Sequence, residues 1–364
     1  MATVSFYTLI FLISTFFVYI SDKGKGALER KVFLCLAFLI FFVPSAIRYD
    51  IGTDYLNYVD IYENIEYHKY IEPAYYYLNL GLNLLGADSQ WVFIISAFIF
   101  SFVSFKSYPT KNAWIIHVAL MGMLWFFSFN VVRQAIAISF CLLAISKFLN
   151  GQPKYFFVLT LIASLFHTSA ILIFITGMIS FIPLNRKIKN SIIPIIFILI
   201  ILSAWLYTNI FLEIVDQVLS LLNLNKYAGY FGGIHFIEAD FGSGLGALAR
   251  ILFSSYIIFN TKSFLALGKN YWLLILLVFF YAFGIVLADN IIIFGRFADT
   301  FVIGPIVSTY VLYNLTENKQ KHRTVVYIFL IYLLLNFIKD SFGEKTSYAD
   351  PKRNPYQTIF HAKY

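Results

Sequence analysis

Apolar runs of membrane-crossing length recur along the whole chain, and they leave little choice of fold. Residues 2–20, 32–47, 90–105, 191–207 and 271–288 are nearly free of charge. Such runs approach the ~20 residues needed to cross a bilayer as a helix. A helix is one of only two ways a backbone can satisfy its polar groups in lipid. The expectation is an all-α polytopic membrane helix bundle of about twelve transmembrane segments (11–13) forming one membrane domain over residues 1–364.

Composition agrees with this expectation. Charged residues make up 13% of the chain, against about 25% in soluble domains. The 41 Phe suit lipid-facing helix surfaces and the 26 Tyr suit the interface. A net charge of +8 would point to nucleic acid only if basic residues shared one soluble face. They punctuate the apolar runs instead, so no nucleic-acid partner is expected. Cys35 and Cys141 lie inside apolar runs and are too few for a disulfide framework. No metal-ligand spacing is visible, and no cofactor is expected. The first run is not a convincing signal peptide, because its basic cluster (Lys23, Lys25, Arg30, Lys31) follows it.

That cluster places the N-terminus outside and residues 21–31 inside. Continuing by the positive-inside rule, segments 48–88, 208–245 and the tail 339–364 are external. Spans are expected at 32–47, 90–105, 113–128, from Arg133 to Lys147, 191–207, 247–260, 271–288, 297–314 and 324–338. An amphipathic interfacial helix is expected near 72–86. Residues 155–182 are long for one span and short for two, and basic residues flank both ends. They are read as two short helices with His167 at the outer apex. A rival topology makes 72–86 a span and 155–182 a single span. It puts Lys106, Lys111, Lys147 and Lys154 outside, which the rule disfavours. No internal repeat of the inverted-transporter kind is seen.

With this topology all acidic residues but Asp22, Glu29 and Glu317 fall outside. Arg48, Arg133, Arg250 and Arg296 break the charge rule by sitting at outer ends of spans. Each could simply pair with a local carboxylate: Arg48 with Asp50 or Asp54, Arg296 with Asp289 or Asp299. Four on one face favour function, because the guanidinium fork matches phosphate oxygens and stays charged. His167, in His167-Thr168-Ser169, is either a helix-to-helix hydrogen bond or a general base, since histidine titrates near neutrality. His117 reads as structural. Gly52 suggests a tight turn that lets Arg48 and Asp54 face one pocket. The glycine-rich stretch 229–246 lacks the ending of a phosphate loop and reads as an outer lid.

The ordered set Arg48-Tyr49-Asp50-Ile51-Gly52-Thr53-Asp54-Tyr55, Glu72-Pro73, Arg133-Gln134, Ala163 to Ala170 around His167, and Asn354-Pro355-Tyr356 resembles the EpsG-like family of Wzy-type polysaccharide polymerases. The likeness covers most of the chain and is least over residues 184–290. It implies a fold like the C-type membrane glycosyltransferases. It also implies metal-independent joining of oligosaccharide repeat units carried on undecaprenyl pyrophosphate, at the outer face of the bacterial plasma (inner) membrane. The products would be O-antigen, capsule or exopolysaccharide. Donor and acceptor would both be lipid-linked, with membrane lipid, a chain-length regulator and a flippase as partners.

The residues suit that chemistry. His167, Asp54, Arg48, Arg133 and Arg296 are the expected catalytic set, with His167 or Asp54 as base and arginines on the departing pyrophosphate. Asp50, Gly52, Tyr55, Tyr58, Glu72, Gln134, Arg250 and Tyr356 are the expected substrate-binding set, Tyr55 and Tyr58 by stacking on sugar rings. The rival readings are an O-antigen ligase, a flippase or transporter of lipid-linked oligosaccharide, and a membrane acyltransferase using His167.

Overall fold

A computed structural model describes residues 1–182, 191–206, 217, 244–288, 292–343 and 352–361. Of the described residues 81% are helical. Among them four helical stretches are long and apolar enough to cross a bilayer: α1 (Ala2–Lys23), α8 (Val132–Leu149), Lys269–Ala288 and α17 (Lys319–Asp340). Shorter apolar helices accompany them, including α5 (Gln90–Lys106), α9 (Pro153–Phe166), α10 (Ala170–Ser180), α11 (Ile193–Leu206) and α12 (Leu245–Phe259). The protein is a polytopic membrane helix bundle.

Helix α1 illustrates why. Tyr7, Phe11, Ser14, Val18 and Ser21 recur at three- and four-residue spacing and are buried. The remaining circumference carries exposed Leu9, Leu12, Ile13 and Phe16. A helix that is apolar all round has no face for water and suits lipid.

Contacts gather the chain into two compact units, Met1–Phe174 with Val326–Tyr364, and Ile175–Val325. In the first unit α2 (Ala27–Ala46) packs on α1, α5 on α8, and α8 on α9. An aromatic cluster of Tyr7, Phe41, Trp125, Phe126, Phe129 and Phe337 fills its centre. Its two polar atoms are both satisfied: the Trp125 indole nitrogen donates to the Phe41 carbonyl at 3.0 Å and the Tyr7 hydroxyl to the Arg353 carbonyl at 3.1 Å.

The two ends of this unit separate the segments by predicted side. At one end of α1, Asp22 accepts the Trp114 N–H at 3.2 Å, and Arg30 donates to the Thr110 carbonyl at 2.6 Å. These are the loops read as inner. At the other end Thr3 accepts the Tyr356 N–H at 3.1 Å. The 22 residues of α1 separate these ends by about 33 Å.

Several local expectations are refined. The pair α9 and α10 breaks at 167–169, which rules out a single span over 155–182. Helix α4 (Pro73–Leu84) has 12 residues; at about 18 Å it falls short of a ~30 Å hydrocarbon core. Proline at its first position, where an N–H would go unused, starts it there. A short helix α3 (Tyr55–Glu63) precedes it, which the sequence reading did not foresee. The expected span 113–128 is interrupted: α6 (Ala113–Leu120) passes through a π-helical turn at Met121–Trp125 into α7 (Phe127–Asn130). The span 297–314 is broken at Val302, between α15 (Ile292–Phe301) and α16 (Ile303–Asn314).

In the second unit α13 (Thr261–Leu267) follows α12, and α14 (Trp272–Ala288) forms the centre. Helix α16 meets α14 where Gly304 lies so close that a Cβ would come 2.8 Å from the Leu277 carbonyl carbon. Small residues allow membrane helices this approach. The loop 208–245 lies outside the described residues except for residues 217, 244 and 245, and with it Gly229, Gly232, Gly233 and Gly242.

Candidate active site

The site is built where α2 ends. Ile47, Arg48 and Tyr49 leave the helix and pair with the C-terminal tail. Tyr49 donates its N–H to the Gln357 carbonyl and Ile359 donates to the Ile47 carbonyl, both at 3.0 Å. The Tyr356 hydroxyl donates to the Pro44 carbonyl at 2.9 Å. Asp50 and Lys352 then form an ion pair at 2.6 Å. Both sit at positive φ, 48° and 43°, a region that non-glycine residues enter only under constraint. Gly52 follows at φ 102°. A Cβ there would lie 2.5 Å from the Phe129 carbonyl oxygen, so only glycine fits. The turn is fixed by the Asn130 side-chain oxygen, which accepts the Thr53 N–H at 3.2 Å.

Arg48 points inward and is 2% exposed. Its two terminal nitrogens donate to the carbonyls of Ser45 at 2.6 Å and Phe129 at 3.4 Å. The guanidinium lies over the rings of Phe93 and Phe129, 5.1 and 4.8 Å from their centroids. Its Nε has no hydrogen-bond partner among the described residues. It borders a cavity of about 10 Å³ shared with Ser96 and Ser128, room for roughly one water. Burial pulls the guanidinium down to about 10, against the opposing influence of Tyr55, Tyr75, Tyr356 and Tyr7. It remains a cation near neutrality. The alternative of a pair with Asp50 does not hold, because Asp50 is bound to Lys352.

Arg133 is different. It stands at the head of α8 and pairs with Glu72 at 2.5 Å. The Tyr58 hydroxyl is close enough for the two groups to influence each other's charge. The other Glu72 oxygen accepts the Thr168 N–H at 3.4 Å. The carboxylate also feels the charge of the neighbouring His167. Burial by itself raises the Glu72 carboxyl. The charges of Arg133 and His167 and the backbone N–H bonds more than offset this and hold it below the usual carboxylate range. His167 caps α9 with extended backbone. Its Nδ1 lies 2.8 Å from the Ser169 hydroxyl and accepts the Ser169 N–H at 3.3 Å. Three segments distant in sequence, around 72, 133 and 167, thus meet in one polar cluster. It holds an arginine fork, a carboxylate and an imidazole.

Other predicted residues sit elsewhere or differently. Tyr55 is stacked on Phe93 at 4.3 Å and bonded to Gln90; Tyr58 is buried against Tyr75 and Phe93. Neither ring is open to a sugar, because each residue is only 4% exposed. Gln134 is fully buried, since it lies on the packed side of α8. Tyr356 packs on Phe6 and Tyr7 and acts as a tail anchor. Asp54, half-buried at the start of α3, directs its charge at Tyr58. Arg250 and Arg296 belong to the second unit, where their charges bear on Asp299. Asp289 lies outside the described residues.

Lys352 and Asn130 were not singled out from the sequence. For Lys352 a signal existed: it is a basic residue in a segment read as external, the same anomaly that marked Arg48. Asn130 gave none.

The sequence model of the EpsG family matches residues 31–356. No curated protein and no solved structure matches the chain.

Proposed function

The chain belongs to the EpsG family, whose members are Wzy-type polysaccharide polymerases, and from that premise we propose that it joins undecaprenyl-pyrophosphate-linked repeat units at the outer face of the plasma membrane. The observation that carries the proposal is the meeting of Arg133, Glu72 and His167 at the head of α8, the end opposite Lys147.

The reaction in this reading is a single displacement at the anomeric carbon of the donor. The acceptor hydroxyl gives its proton to His167 as its oxygen bonds to that carbon. The carbon–oxygen bond to phosphate breaks, and undecaprenyl pyrophosphate departs with the electron pair. Attack opposite the leaving group inverts the anomeric configuration. Negative charge grows on the departing pyrophosphate, where arginine donors stabilise it best. Arg133 is the foremost of these, because its side chain keeps 26% exposure and already seats a carboxylate. A phosphate would take the place of Glu72 on that fork, and the freed carboxylate would then serve the imidazolium formed at His167. Arg48 acts as a frame for the site, held inside by carbonyls and rings. Arg250 and Arg296 stand in the proposal as further phosphate-binding side chains of the second unit.

The test is reconstitution. Purified protein given only lipid-linked repeat units should yield a ladder of products and release undecaprenyl pyrophosphate. In a parallel reaction with lipid A core added as acceptor, transfer to the core without a ladder would identify a ligase instead.

A further inference from the structure

Residues 60–71 lie beside the cluster and hold two tyrosines out in solvent, Tyr67 at 82% exposure and Tyr70 at 67%. The segment is built rather than loose. Tyr67 donates its N–H to the Asn64 carbonyl, His68 to Ile65 and Ile71 to His68, at 3.0–3.1 Å. Ile65 and Ile71 are buried and anchor it. The Tyr70 hydroxyl lies 2.9 Å from His68 Nδ1, and His68 Nε2 lies 3.1 Å from Asp60. Asp60 in turn accepts from the Asn64 side chain at 2.8 Å. The Tyr70 ring is therefore held by a relay of three polar groups.

These rings are not placed like those of a lipid-interface belt. Their neighbours Asp60, Glu63, Asn64, Glu66 and Lys69 are all exposed, and such a run belongs in water. Large rings held in water among donors and acceptors match a ligand with apolar C–H faces and many hydroxyls, which is a saccharide. Aromatic rings with a polar tip suit such half-wet contacts. Position points the same way. Tyr70 is two residues from Glu72, so their Cα atoms are at most about 7 Å apart.

We propose that Tyr67 and Tyr70 form a stacking platform for the glycan chain, adjoining the Arg133–Glu72–His167 cluster. This rests on the polymerase reading for the identity of the glycan. A platform there retains the growing chain between additions and so governs product length more than the rate of the first bond.

The experiment uses full-length protein in nanodiscs and lipid-linked repeat units extracted from source cells lacking it. The variants are Tyr67→Ala, Tyr67→Ala/Tyr70→Ala and Tyr70→Phe. Binding of the delipidated polymer from the same cells is followed by saturation-transfer NMR. The double variant should form the first dimer within about twofold of the wild-type rate, with median product length at least halved. Polymer binding should weaken roughly two- to tenfold for each ring lost. Tyr70→Phe keeps the ring and should keep the ladder. Tyr67→Ala touches none of the relay's hydrogen bonds, so its effect cannot come from misfolding of the segment. An unchanged ladder and unchanged polymer binding in Tyr67→Ala and the double variant overturn the platform, while the polymerase reading stands. Ring-dependent polymer binding by a wild type that makes no ladder sustains the platform and overturns the polymerase.

Discussion

Arg48 and Arg133 carry the same anomaly in the sequence, a guanidinium read at the outer end of a span, yet the fold gives them opposite surroundings. Around Arg48 everything closes. Two carbonyls take its terminal nitrogens, two phenyl rings cover it, and the tail is laced over its backbone. Around Arg133 the partner is a carboxylate, which a phosphate can replace, and the fork keeps partial exposure. A buried cation satisfied by neutral dipoles is part of the frame. A partly exposed cation satisfied by an exchangeable anion suits a binding site, the role proposed for Arg133. The type of partner, more than the arginine itself, separates the two.

The sharpest way to break this comparison lies beside Arg133. His167→Ala should lower polymerisation by roughly 10²–10⁴-fold, the usual cost of removing a general base, without change in expression or thermal unfolding. His167→Gln should be equally inactive. An active Gln variant would remove His167 from the chemistry and leave Asp54 as the leading base.

Lysine substitutions at the two arginines compare the regions directly. Arg133→Lys keeps the charge and loses the fork, so activity should fall about 10²-fold in a protein that melts normally. Arg48→Lys should instead destabilise the fold by roughly 2–3 kcal/mol, the scale of lost hydrogen bonds to a buried charge, seen as a lower melting temperature in detergent. Equal melting of both variants with equal loss of activity would erase the distinction.

Glu72→Gln sharpens it further. If Glu72 holds the phosphate seat, its neutral amide should lower the donor KM and lower kcat by roughly tenfold, while a purely structural pair would leave KM unimproved. Acid titration offers a second readout. The Glu72 carboxyl is held below its ordinary value in the fold. Its contribution to stability is therefore complete above the ordinary carboxylate range and is lost as pH falls through the depressed value. As pH falls below the ordinary carboxylate range, wild type should lose stability more steeply than Glu72→Gln.

The smallest effect is expected at the tail. Asp50→Asn removes the charge of the pair but keeps an amide oxygen to accept from the buried Lys352. The cost should be about 1 kcal/mol, read as a melting shift, with activity nearly unchanged. A large loss of activity there would move the tail from frame to site.

Much of this was legible in the sequence because its signals are local. The apolar runs fixed a helical membrane protein, since lipid leaves the backbone few alternatives. The polar triplet at 167–169 within a 28-residue apolar stretch marked a reversal, and α9 and α10 turn there. Glycine at 52 was legible as a turn, although the reason it must be glycine is the carbonyl of Phe129, far away in sequence. The ordered residues from Arg48 to Tyr356 carried the family.

What the sequence could not decide was which polar residues face one another. Arg48 has Asp50 and Asp54 within six residues yet gives its terminal nitrogens to the carbonyls of Ser45 and Phe129; Arg133 takes a carboxylate 61 positions away. Tyr55 and Tyr58 look like sugar platforms by position, but α3 turns them into the packed interior and leaves Tyr67 and Tyr70 outside. Periodicity and hydropathy report whether a residue leaves water, because that depends on its own transfer energy. They are silent on its partner, because a contact between segments arises only when the helices pack and their ends meet.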